Sequence, residues 1–116
     1  MRLKLVIALV SDELTDSVID AARKKGATGA TVISSGRGEG LKKKKTFFGL
    51  DLAAQRDIIL FIVADSLSRY ILEAIADVGN FDEEPGSGVA FQLPIEDVVG
   101  LGTQIPTLLH EIEEEL

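Results

Sequence analysis

The chain has 116 residues, 46% of them apolar, which is enough for one domain with its own core and too little for two ordinary ones. Its formal net charge of −7 argues against a general nucleic-acid binder, whose affinity rests on a basic field that neutralises phosphates. With no cysteine it has no disulfide, thiolate metal site or cysteine nucleophile.

Leu3–Val10 is mainly apolar with β-branched members and is stopped by Ser11-Asp12, which predicts a buried strand. The run is too short to span a membrane, and no small-residue cleavage site follows it, so a cytoplasmic protein is expected. SDELTDSVIDAARKKG then reads as a helix. Leu14, Val18, Ile19 and Ala22 share one face, Ser11 or Asp12 is the expected N-cap, and Gly26 the stop. Thr28–Ser35 has β-prone Thr31, Val32 and Ile33 and predicts a second strand.

The next segment, GRGEGLKKKKTFFGLD over residues 36–51, has neither helical nor strand periodicity. Arg56–Ala64 carries the strongest strand signal in the chain. Leu67–Val78 repeats apolar residues at helical spacing, with Ser66 as expected cap and Gly79 as expected stop. NFDEEPGSG is a loop by its acids, proline and glycines, and Val89–Leu93 is a strand. Pro94–Asp97 predicts a turn or short helix, Val98–Leu101 a short extended piece, and Thr107–Leu116 a closing acidic helix that starts near Pro106.

This order predicts an α+β, ferredoxin-like βαββαβ sandwich with a long loop between strands 2 and 3 and a C-terminal helix. Helices cover one face of such a sheet. Ile58–Val63 is apolar on both sides, so the other face would leave a patch too large for a monomer, and an oligomer is expected.

Four stretches taken in order resemble the PII signalling superfamily: KLVIALVSDELTDSVIDAARKKGATGATVISSGRGEG, RDIILFIVADSLSRYILEAIADV, PGSGVAF and PIEDVVGL. The resemblance covers nearly the whole chain and implies a single PII-like domain over 1–116 that assembles as a homotrimer. It implies a T-loop region at 36–55, a B-loop at 82–88 and a C-loop region at 98–102. Family members bind adenine nucleotides between subunits and signal to transporters, enzymes or regulators by reshaping the T-loop. The residues implied in effector binding are Thr31, Gly36, Gly38, Arg56, Gly86 and Gly88, with ADP, AMP, ATP or a cyclic nucleotide as the ligand. Glycines suit the role because backbone N–H groups can then approach phosphate oxygens.

The departures from the family pattern are chemical. The B-loop lysine is Val89, and the C-loop arginines fall at Gly100 and Gly102. A carboxylate near the ribose is Leu60, and Phe47-Phe48-Gly49 stands where some relatives carry a modifiable tyrosine. The glutamine that serves 2-oxoglutarate through a metal is replaced near Glu39-Gly40. Charge-assisted bonds are the strong contacts to phosphate, so losing these cations favours a ligand less charged than ATP with magnesium.

GRGEG is not a Walker sequence, because no Gly-Lys-Ser/Thr follows. Lys42, Lys43, Lys44 and Lys45 read either as a solvated charge run or as a contact for an anionic partner. Phe47 and Phe48 either fold back on the subunit or anchor a partner. His110 stands alone among apolar residues and acids, and no Ser–His–Asp spacing is present, so neither a metal site nor an enzyme is expected. The expected function is a trimeric PII-like regulator that binds a small effector and acts on a transporter or enzyme. An adaptor trimer without nucleotide binding and a CutA-like metal-ion-related trimer are the alternatives.

Overall fold

The computed structural model describes residues 2–34, 46–47, 50–51 and 56–101. Strand β1 (Leu3–Ser11) leads through a single 3-10 turn (Asp12–Leu14) into helix α1 (Thr15–Lys24). Edge strand β2 (Thr31–Ser34) follows, then a short hairpin of β3 (Thr46–Phe47) and β4 (Leu50–Asp51). Strand β5 (Arg56–Ala64), helix α2 (Asp65–Gly79) and strand β6 (Gly88–Ile95) complete the described elements.

The main sheet has the order β2-β5-β1-β6 and is antiparallel throughout. Leaving aside the hairpin, this is the expected βαββαβ arrangement, with the two halves interleaved so that β1 and β5 lie in the centre. β1 is paired along its whole length with β5, from Leu3 opposite Ala64 to Ser11 opposite Arg56. That register fixes which side chains share a face, because directly opposed residues point the same way.

One face is packed. Val6, Ala8 and Val10 of β1 and Ile59, Phe61 and Val63 of β5 meet Val18 and Ala22 of α1 and Leu67, Ile71 and Ile75 of α2. Both helices present the apolar stripe expected from their sequence spacing, and each fully buried aliphatic side chain contributes about 1.5–3 kcal/mol. The opposite face carries Leu5, Ile7, Ile58, Leu60 and Ile62, all half-buried, with Leu93 on β6 exposed. The two-sided apolar character of β5 is therefore real, and one side has no helix over it among the described residues.

The helix ends differ from expectation in instructive ways. Ser11 does precede the first turn, but its side chain makes no capping bond. Gly26 terminates α1 as expected, with φ +107 and the paired bonds Ala27 N–H to Ala22 O and Gly26 N–H to Arg23 O that close the helix. Helix α2 begins at Asp65, before the expected cap Ser66, because β5 runs straight into it and the Asp65 N–H donates to Arg2 O at 2.9 Å. Gly79 is still helical. Asn80 takes the left-handed turn instead, at φ 52 and ψ 40, and Phe81 N–H donates back to Ala76 O.

Strand β2 starts later than expected, at Thr31 instead of Thr28, and pairs with β5 over Thr31–Ser34; Ser35 lies outside the described residues. β6 is longer and absorbs Pro94 and Ile95, where a turn or short helix was expected. It is an edge strand, where a missing N–H is tolerated. Val98–Leu101 forms no strand. The expected helix at 107–116 lies outside the described residues.

Candidate functional site

The loop from Asn80 to Ser87 folds around one carbonyl. Asn80 O accepts from Glu83 N–H, Glu84 N–H and the Ser87 hydroxyl, at 3.2, 2.9 and 3.2 Å. A further turn closes from Ser87 N–H to Glu84 O. Gly86 has φ +79, a left-handed conformation that other residues adopt at a cost, with open space where a Cβ would stand.

The stem of this loop is set by Phe81. The Cε1 edge of its ring lies against both Gly79 and Gly88, so closely that a Cβ on either glycine would collide with it. A Cβ on Gly88 would also come within 2.9 Å of Leu9 O on β1. Packing against Phe81 and the sheet therefore demands glycine at 79 and 88.

The far end of the loop is held by Arg56, the first residue of β5. Its guanidinium donates to Gly86 O at 2.8 Å and more weakly to Ser87 O at 3.4 Å. Sequence reasoning placed Arg56, Gly86 and Gly88 in one site, and the fold brings these three together. It does not place Thr31 with them. Thr31 opens β2 opposite Leu60, four residues along β5 from Arg56, or about 13 Å at the ordinary strand rise. There it borders a separate cavity of about 350 Å³ on the uncovered sheet face, with Leu5, Leu60, Ile62 and Leu101. Gly36, Gly38, Lys42–Lys45 and Phe48 lie outside the described residues. Phe47 is described only as the backbone partner of Leu50.

On the helix side of the loop is a cleft of about 620 Å³, bounded by Arg69, Glu73, Asp77, Phe81, Asp82 and Val89 among others. Its cation, Arg69, is bonded to Glu73 at 2.8 Å, and Asp77 and Asp82 add two carboxylates. The cleft is thus acidic on balance, and Val89 lines it without a charge. Two further groups escaped sequence reasoning. Thr15 and Asp57 form a buried pair, and Gln92 Oε1 is buried with no hydrogen-bond partner among the described residues. A polar residue within an apolar strand, Asp57 in β5 and Gln92 in β6, was the available signal for both.

An interleaved βαββαβ sheet with one helix-covered face and a glycine-bearing loop before its last strand is the architecture of small trimeric signalling proteins of the PII kind. The model of the family described as nitrogen regulatory protein P-II matches residues 3–104, and the chain belongs to that family. Among solved structures it is similar to one from Thermus thermophilus described as a PII-like signaling protein. That likeness has a TM-score of 0.59 and 22% identity over 82% of this chain and 88% of that one. No curated protein matches the chain. The family consists of signalling proteins that typically form trimers, interact with target proteins and in general bind adenine nucleotides. No helix among the described residues is long and apolar enough to cross a membrane.

Proposed function

We propose that this protein is a cytoplasmic, homotrimeric PII-like regulator whose effector is an adenine nucleotide bound between subunits. In this reading loop 82–88 and Gly36, Gly38 and Arg56 border the effector, and Thr31 of a neighbouring copy supplies the remaining wall. The target is a transporter or enzyme reached through residues 36–55, with Lys42–Lys45 and Phe47-Phe48 as contacts. One observation carries it: Arg56, Gly86 and Gly88 converge at one end of a sheet that has one apolar face with no helix over it among the described residues. Ligand-dependent ordering of a loop then acts as a shift in its population.

The chemistry favours a modest phosphate charge. Val89 brings no cation, Arg69 is engaged by Glu73, and Asp82, Glu83 and Glu84 crowd the loop. AMP, ADP or a cyclic nucleotide therefore suits the site better than ATP. Calorimetry with ATP, ADP, AMP and cyclic AMP tests this, on protein whose mass in solution is that of a trimer. The expected result is heat with at least one of them, and weaker binding of ATP than of the less charged nucleotides. Absence of heat with all four sinks the nucleotide reading. It favours the second reading, an adaptor trimer, for which the acidic balance of the cleft is the supporting observation.

A further inference from the structure

We infer that Arg56 is a positioning residue for loop 82–88, acting through the loop backbone in the absence of any ligand. Three features point there. The side chain is directed at Gly86 O and Ser87 O, thirty and thirty-one residues further along the chain. Two carbonyls side by side match the planar fork of a guanidinium and not a single ammonium. The backbone from which Arg56 reaches belongs to the sheet, where it pairs opposite Ser11 of β1.

The loop needs such a tether. Its stem is packed by Phe81 against Gly79 and Gly88, but its apex, at Gly86, touches nothing where a side chain would be. The internal bonds from Glu83, Glu84 and Ser87 N–H fold the loop on itself. They do not fasten it to the sheet, and the bonds from Arg56 do. The guanidinium also lies on a loop bearing Asp82, Glu83 and Glu84, whose charges favour a cation there. The carbonyls of Gly86 and Ser87 face the arginine, so this side of the loop offers acceptors rather than a ring of N–H donors. Among the described residues, Arg56 thus fastens the loop to the sheet.

The test is amide hydrogen exchange on the ligand-free protein, read at Glu83, Glu84 and Ser87, whose N–H groups are bonded within the loop. Arg56→Ala is expected to speed exchange at these amides roughly tenfold or more, the scale of a lost charge-assisted bond. Amides of Ile71 and Ile75 in α2 keep their protection. Arg56→Lys restores the charge but not the fork, and recovers only part of the effect. If Arg56→Ala does not fold, Arg56→Gln, which keeps a donor but loses the charge and the fork, is read at the same amides with the same expectation. Unchanged exchange at the three amides in Arg56→Ala overturns the inference, and so does full recovery with lysine. Because no nucleotide is present, failure here is separate from failure of the nucleotide reading.

Discussion

Thr15, in the first turn of α1, donates a hydrogen bond of 2.6 Å from its hydroxyl to Asp57 of β5, forty-two residues away and buried with it. The contact joins the start of a helix to the strand beneath it. A carboxylate at that end of a helix also meets the positive end of the helix dipole. Replacing Thr15 by Val keeps the shape and removes the donor, leaving a buried carboxylate short of a partner. Stability should fall by about 1.5–3 kcal/mol, the cost of losing a bond to a charged group. Urea denaturation measures it, and a loss below about 0.5 kcal/mol would mean that Asp57 is satisfied without Thr15.

Gly88 is a packing residue, crowded by Phe81 and Leu9 O. Gly88→Ala should destabilise the protein by about 1–3 kcal/mol, as overpacking does. Phe81→Leu, which shortens the ring, should relieve much of that loss, so the two changes are far from additive. A thermal-denaturation cycle over the two single variants and the double reads the coupling. Additive losses would show that the ring and the glycine do not share the space.

Asn80 carries the left-handed turn that ends α2. Asn80→Gly should leave stability equal or raise it by up to about 1 kcal/mol, while Asn80→Ala should lower it by about 1 kcal/mol. Denaturant midpoints of the three proteins give the order directly. A midpoint for alanine equal to that of asparagine would contradict the strained conformation.

Leu93 is 47% exposed in the protomer and lies, opposite Leu5, on the sheet face that no described helix covers. Leu93→Asp should hardly affect the folding of one chain, because a charge there still meets water. In a homotrimer that buries this face the same charge has no partner, and the mass in solution should fall to that of a monomer. Light scattering decides. A trimer that survives the change places the interface elsewhere.

Ile71 and Ile75 are fully buried in the helix-covered core. Ile75→Ala should cost about 2–5 kcal/mol through lost transfer energy and a residual cavity. Circular dichroism during denaturation gives the value, and a cost under about 1 kcal/mol would be inconsistent with such packing.

The elements were legible wherever local chemistry sets the period. Val18 and Ala22, Leu67 with Ile71 and Ile75, and the unbroken run Ile58–Val63 each declare their state without reference to the rest of the chain. Gly26 announced its stop for the same reason, since a left-handed residue is a local matter. Gly79 misled because a glycine can be required by φ or by crowding. The crowding comes from Phe81, whose position depends on how β6 returns to the sheet. Pro94 misled because a proline in a strand is forbidden or harmless according to whether the strand is central or at an edge, and sheet order is not a local property.

The sequence by itself determined the two long helices, the four strands of the main sheet in their chain order and the two-sided apolar strand. These follow from side-chain chemistry and short-range spacing. Only the tertiary structure decided that Arg56 reaches Gly86 and Ser87, that Thr15 meets Asp57, and that Thr31 stands apart from both, beside Leu60. Each of those relations joins residues distant in the chain: the packing of α1 and of loop 80–87 against the sheet makes the first two, and the β2–β5 register sets the third.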